Sequence, residues 1–570
     1  MGIYLNSSSP YGLYRSDSSS PYYVDKTEIL KELVPLVEFD ENESAESGSS
    51  RGKGQKYVAI TRPRRFGKTV MANMISSYFG KGVDSDRVFC NRSVSKYPWY
   101  KKHLNRHNVI HIAWNKMPRE CKSYDQYIAR IEKGLLNDLQ KSYPEAEIET
   151  NDAVWDALTK VYEYCNGETF IFVLDEWDYI YHQSFATDAD KEAYTKFLSY
   201  LLKDNSYVEM AYMTGILPIS KYSSGSELNM FFEFSMATTT AYSEYFGFTD
   251  EEVDVLYQRY LQKEKEPRVT REGLELWYDG YQTAAGVKLY NPRSVVGALT
   301  YNQLRSYWTS SGPYDEIFYY IGANTDAVKD DIALMVADVP VPAKVQEYAA
   351  TSMELKTRDE IFSAMVVYGF LNYSNGYVSI PNKELMDKFA DVVQREPSMG
   401  NVYKLTKESG RMLAATKAGD TKTMTEIMEY AHNTLSPLQV YSNEAELASI
   451  LRWVYLKALD TYRIEREEKA GVGYVDYIFY PIIKSEDAII IELKVDHTAD
   501  EAIQQIKDRQ YALRFEGKFG EQPEYTGRIL AVGIAYSKDG KRHECKVEVL
   551  RGFTAPISSD THSEKPLPLS

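Results

Sequence analysis

Four short apolar runs punctuate the first 220 residues: KYVAITR (56–62), NVIHIAW (108–114), TFIFVLDEW (169–177) and VEMAYMTGI (208–216). Runs of this length bounded by polar residues read as strands buried on both faces. Between them apolar residues recur at helical spacing, as in YDQYIARIEKGLLNDLQ and KEAYTKFLSYLLKD. Strands alternating with helices predict a parallel sheet covered by helices. Farther on, EEVDVLYQRYLQKEKE has the spacing of a charged amphipathic helix, and WYDGYQ and YNPRS join turn residues to aromatics in the manner of a small helical lid. RDEIFSAMVVYGFLNYSNGYVSIPNKEL reads as a helix and then a hairpin turning at SNG, the order of a winged-helix-like unit. No helix rich in Arg, Lys, Asn or Gln precedes that hairpin, so it is expected to cap its neighbour rather than read DNA. Near the C-terminus two amphipathic helices, SNEAELASILRWVYLKAL and DEAIQQIKDRQYALRF, flank the strand-like runs GVGYVDYIFYP and DAIIIELKV.

The remaining stretches set boundaries. Residues 1–20 are rich in Ser and Tyr without periodicity, 41–56 are polar and of low complexity, and 554–570 resemble both, so all three are expected to be disordered. At 570 residues the chain is too long for a single core. No run of 18 apolar residues is present, and the start MGIYLNSSSP carries no charged and apolar leader, which together predict a cytoplasmic protein without a membrane partner. Cys90, Cys121, Cys165 and Cys545 lie far apart without paired spacing, so they are expected to be small buried hydrophobes. A formal net charge of −16 disfavours indiscriminate attraction to nucleic acid.

The candidate chemistry sits at strand ends. RRFGKT follows the first strand and precedes the helical run VMANMISSYF, so Gly67 and its neighbours can turn backbone N–H groups toward a phosphate. Lys68 would reach the β- and γ-phosphates and Thr69 would hold Mg2+ through its hydroxyl. Arg62, Arg64 and Arg65 would add positive charge, although Arg62 stands where the usual phosphate-loop pattern has its first glycine. The third strand ends in Asp175 and Glu176, placed to bind the metal through water and to polarise an attacking water.

These residues carry a resemblance. YYVDKTEIL, RPRRFGKTV, VLDEWD, MTGILPISKYSSGSELNM, FGFTDEEV, WYDGYQ and YNPRSVVGAL resemble, in order, the blocks of the AAA-ATPase-like domain family, in which Arg commonly replaces that first glycine and a nuclease-like domain often follows. The resemblance implies ATP binding by Lys68, Thr69, Asp175 and Glu176. It adds Thr214, in the TG block, as a γ-phosphate sensor. The implied organisation is a P-loop core over 21–250, a helical lid and winged-helix-like region over 251–435, and a smaller α/β domain over 436–553.

In that last region Asp476, Glu492 and Lys494 interrupt apolar strands. Alternation puts Glu492 and Lys494 on one face. The two acids could bind Mg2+ while Lys494 positions the water that attacks a phosphodiester; a salt-bridged hairpin face would look the same. The order Asp, then Glu-X-Lys, resembles the PD-(D/E)XK nuclease superfamily, with Val475 where a Pro often stands. That resemblance implies Gln505 on the following helix facing the site and Glu444 as a further acid. From Tyr441 to Arg551 there are 17 Lys plus Arg against 20 Asp plus Glu, so tight nonspecific DNA binding is not implied.

The expectation is therefore an α/β protein in which a P-loop ATPase using ATP and Mg2+ accompanies a nuclease-like domain acting on nucleic acid, DNA first. Self-association stays open. The competing reading is a nucleotide-dependent switch or scaffold whose nuclease fold binds without cutting.

Overall fold

The computed structural model describes residues 2–38, 56–219, 227–236, 239–308, 320–322, 324–345, 355, 357–395, 397–435, 443–470, 473–515 and 525–551. The polar stretch 41–55 and the tail 554–570 lie outside them. The chain divides into two compact units, Met1–Val328 with Pro340–Met386 and Lys329–Val339 with Asp387–Ser570. The region 251–435, expected as one piece, is thus split between them. One boundary falls within helix Lys383–Arg395, where the buried Glu384 ties the first turn into the first unit by accepting from Ser294 Oγ (2.7 Å) and Trp308 N (2.6 Å).

In the first unit the four apolar runs are strands β1 (Tyr57–Thr61), β2 (Asn108–Ala113), β3 (Phe170–Asp175) and β4 (Val208–Gly215), joined by a three-residue edge strand β5 (Phe232–Phe234). All pair in parallel in the order β2-β3-β4-β1-β5. Because β4 lies between β1 and β3, with Ile60 opposite Thr214, the ends of the phosphate-loop strand and the acid strand both border Thr214. The strands bury Val58, Ile60, Ile171, Val173, Met210 and Tyr212 against Met71, Ile75, Tyr78 and Phe79 of helix Lys68–Phe79.

Residues 2–20, expected to be disordered, are ordered. Ser9–Ser18 is a helix against helix Lys68–Phe79, with Tyr14 fully buried and stacked on Phe89 at 5.2 Å. The buried Asp138 fixes the preceding turn by accepting from Tyr4 N (2.7 Å) and Leu5 N (3.2 Å). Aromatic rings that also carry hydroxyls supply this packing, which a count of aliphatic residues does not register.

Helix Asp250–Lys263 has solvated charges on one side and buries Val253, Leu256 and Tyr260 on the other, against Tyr278, Tyr290 and Val295. Tyr278 and Tyr290 come from the WYDGYQ and YNPRS segments, and Val295 follows the second. The SNG hairpin pairs Asn372–Ser374 with Tyr377–Ser379, and its turn places Asn375 and Gly376 at φ 52° and 85°, as a tight two-residue hairpin requires. Cys165 and Cys545 are buried, but Cys90 is exposed and Cys121 half-buried; Cys90 follows a single helical turn, Asp86–Phe89, whose inward position goes to Phe89.

At the N-terminal edge of the sheet four side chains form a row. Glu38 Oε1 meets His103 Nε2 (2.9 Å), His103 Nδ1 meets His107 Nε2 (3.0 Å), and His107 Nδ1 meets Glu209 Oε1 (2.8 Å). His111, within β2, stands apart and bonds Ser76 Oγ at 2.7 Å.

The second unit is built on a mixed sheet of strands 462–470, 473–481, 488–495, 529–537 and 542–551, hydrogen-bonded in that order. Only 488–495 and 529–537 run parallel. Helix Ala499–Asp508 connects them and packs on 529–537 at Gly533, where a Cβ would come within 2.3 Å of Ala499 O. Glycine is required there for close approach. Among the described residues of the whole chain, no helix is long and apolar enough to cross a membrane.

Candidate functional site

The loop after β1 makes a sharp turn. Arg65 and Gly67 take φ of 73° and 86°, and Gly67 caps helix Lys68–Phe79 with open space where a Cβ would stand. Positive φ is natural for glycine and strained for arginine, and the turn aims the helix's free N–H groups outward. Arg62 needs no glycine. It stays on the sheet, donating its N–H to Gly215 O at 3.2 Å. Its side chain is 1% exposed and donates to Thr61 O (2.8 Å), Phe234 O (2.7 Å) and Tyr242 O (3.3 Å). The expectation that Arg62 lends charge to a phosphate is therefore corrected: its guanidinium ties the edge of the sheet together. Arg65 is exposed beside Arg64, Arg293 and Glu176, and burial with the neighbouring arginines lowers its pKa.

Lys68 is buried and donates through Nζ to Arg62 O and Pro63 O, both at 2.8 Å. Burial pushes its ammonium down to about 8, against the upward pull of Asp178, Glu176 and Asp175. Asp175, 1% exposed, accepts from Thr214 Oγ1 at 2.6 Å. Burial raises its pKa and the Thr214 and Thr69 hydroxyls oppose the rise. Glu176 sits at φ 55°, partly buried, with its N–H 3.5 Å from Thr214 Oγ1. Burial and then Asp175 raise its pKa, while the Asn115 amide favours the ionised form. Lys68, Thr69, Asp175, Glu176 and Thr214 thus come together at the C-terminal edge of the sheet, where ligands bind open α/β sheets.

Residues 50–224 match the family model described as predicted AAA-ATPase. The parallel sheet that carries them resembles the P-loop NTPase fold. In three dimensions the chain is similar to the Walker-type ATPase paby2304 of Pyrococcus abyssi, at 10% identity and a TM-score of 0.34, covering 64% of this chain and 94% of that one. It is also similar to the Aeropyrum pernix ORC2 protein in ADPNP–ADP complexes, at 9% identity and a TM-score of 0.27, covering 67% of this chain and 94% of that one. No curated protein matches the sequence.

Two residues of this region escaped the sequence reading. Asp178 is buried and accepts from Ile216 N (2.9 Å) and Leu217 N (2.8 Å), so it fixes the turn that follows Thr214. Asn115, just past β2, favours the ionised form of Glu176. The acid in LDEWD was a signal for Asp178; a solitary Asn after a strand gave none.

In the second unit, pairing between strands 473–481 and 488–495 extends to Tyr477 and Ile491, and Asp476 and Glu492 are next on each. Asp476 Oδ2 accepts from Leu493 N at 2.7 Å. Glu492, 3% exposed, accepts through Oε1 from Lys494 Nζ (3.3 Å) and from Gln505 Nε2, while Oε2 is buried without a hydrogen-bond partner. Burial first, then the Asp476 charge, pushes Glu492 up to about 7, and burial raises Asp476 as well. Asp476, Glu492, Lys494 and Gln505 are therefore brought together. Glu444 is not a third ligand in place. It begins helix Glu444–Val454 and raises the Asp476 pKa through its charge, but among the described residues no three His, Cys, Asp or Glu gather to hold a metal.

Proposed function

We propose that the chain binds and hydrolyses ATP with Mg2+ at the AAA-ATPase-like domain and cleaves nucleic acid, DNA in the first place, at the Asp476–Glu492–Lys494 site. The Asp175–Thr214 arrangement supports the first half: a buried carboxylate held by the Thr214 hydroxyl, with the Thr69 hydroxyl favouring its ionised form, beside a lysine and a helix N-terminus. Thr69 and Asp175 would hold the Mg2+ of the nucleotide, which would offset phosphate charge. Lys68 would bind the β- and γ-phosphates, Glu176 would take the proton of the attacking water, and Thr214 would face the γ-phosphate.

The buried, unpartnered Glu492 Oε2 carries the second half. A buried carboxylate oxygen without a donor is costly, and a cation would satisfy it. Mg2+ takes one or two carboxylates and keeps its waters, so Asp476 and Glu492 fit it without Glu444. Bound there, it would polarise the phosphodiester. Lys494 would orient the attacking water and face the charge that develops on phosphorus oxygens, and Gln505 would keep Glu492 in place.

The test is labelled DNA and RNA incubated with the full chain, with and without ATP and Mg2+. Cleavage that needs Mg2+ and is lost in Asp476→Asn is expected. Cleavage at the wild-type rate in Asp476→Asn overturns the nuclease half. So does binding without any cleavage in Mg2+ or Mn2+, which would leave the scaffold reading in its place.

A further inference from the structure

Helix Arg358–Tyr368 ends against the phosphate loop. Gly369 caps it at φ 83°, and a Cβ there would lie 2.6 Å from Pro63 Cβ, so helix end and loop touch. The Arg64 guanidinium lies over the Tyr368 ring, 5.7 Å from its centroid. The Tyr368 hydroxyl is 3.5 Å from His182 Nε2, and His182 closes the helical turn Trp177–His182 that follows the two acids. A second tie runs alongside: Phe66 meets Tyr281 edge to face at 5.0 Å, and Tyr281 donates to Gly369 O at 2.9 Å. Tyr368 is 5% exposed, so its ring offers a desolvated π face, where a guanidinium is held more strongly than at the surface.

The loop needs such a hold. Arg64 depresses the ionisation of both Arg65 and Lys68, so these like charges repel one another across a few residues. A cationic side chain already held in place loses fewer rotamers on meeting a ligand.

We propose that Tyr368 is a positioning residue for the nucleotide site, its ring fixing Arg64 beside the phosphate loop so that the guanidinium is already in place for the phosphates. The proposal rests on the ATP reading above, and it makes a residue some 300 positions past the loop part of nucleotide affinity.

The experiment is calorimetry of a non-hydrolysable ATP analogue with Mg2+ on the full chain. Arg64→Ala is expected to weaken binding roughly tenfold, Tyr368→Leu about threefold, and Tyr368→Phe less than about twofold. The double variant Arg64→Ala/Tyr368→Leu should bind like Arg64→Ala alone, because Tyr368 acts through Arg64. A general loosening of the fold would instead multiply the two losses, and that result overturns the proposal, as does wild-type affinity in Tyr368→Leu. If Tyr368→Leu does not fold, Arg64→Lys replaces it: the compact ammonium stacks less well on the ring, so a loss of about threefold is expected and unchanged affinity overturns the proposal. Lys68→Ala separates the two levels. Absence of binding in the wild type sinks the ATP reading itself, whereas a wild type that binds, loses binding in Lys68→Ala and is indifferent to Tyr368 sinks only this inference.

Discussion

Asp175 and Glu492 are both buried acids on strands that have a parallel neighbour, and each has a lysine close by, yet their oxygens are held differently. Asp175 is met by the neutral hydroxyl of Thr214, with that of Thr69 favouring its ionised form, and its lysine, Lys68, is turned to the carbonyls of its own loop. Glu492 has one oxygen taken by Lys494 and Gln505 and the other unpartnered. Hydroxyls and free N–H groups suit a ligand that brings both anion and cation with it, as a metal-bound nucleotide does. An unpartnered carboxylate oxygen suits a cation that arrives alone. The same two residue types therefore make two sites because of what completes their hydrogen bonds.

The largest test of this contrast exchanges the lysines' roles. Lys68→Ala should lower ATP affinity at least about 100-fold, read by calorimetry, while Lys494→Ala should lower strand cleavage at least about 1,000-fold and leave ATP turnover within about twofold. A Lys494→Ala protein that also hydrolyses ATP slowly would break the separation.

Next in size is Arg62→Gly, which restores the usual phosphate-loop spelling. Because Arg62 holds three backbone carbonyls from the interior, the change should cost about 2–4 kcal/mol in chemical denaturation and bring no gain in nucleotide affinity. Tighter ATP binding would show that the arginine does substitute for a glycine at the phosphate.

The smallest expected effect is a pH dependence. Glu492 lies at about 7 in the folded unit against an ordinary 4.5, so the fold keeps a proton that the unfolded chain releases. That contribution to stability is full below about 4.5 and is lost as pH rises through about 7. Denaturant unfolding without metal should thus show wild type losing on the order of 1–3 kcal/mol relative to Glu492→Gln between pH 5 and pH 8. Added Mg2+ should recover part of it, and a constant difference across that range would refute the assignment.

The parallel sheet was legible because β1 to β4 are each continuous apolar runs, and the hairpin because Asn375-Gly376 can hardly be anything but a tight turn. β5 was not, since FEF has three residues and is half exposed. The helix Ser9–Ser18 was missed because its packing comes from Tyr14 among serines. Spacing along strands gathered Asp476, Glu492 and Lys494, whereas Arg62 was misjudged because a motif names a position and not the direction of its side chain. Tyr368 and Gly533 act across hundreds of residues or across a helix–strand contact. Only Gly533, inside the apolar strand ILAVGIAYS, carried a local sign of its role.

The row Glu38–His103–His107–Glu209 has an arithmetic of its own. It contains three hydrogen bonds, two between an acceptor-only carboxylate and a ring nitrogen and one between the two rings, and each needs one hydrogen between its partners. Two neutral imidazoles bring two. With both carboxylates ionised, all three links close only when the pair of rings carries a third hydrogen, and therefore one positive charge between them. Burial works against that, pushing His103 below the ordinary imidazole range. Once the extra hydrogen leaves, one of the three links must open, and the N-terminal edge of the sheet, opposite the nucleotide loop, loses one of its fastenings.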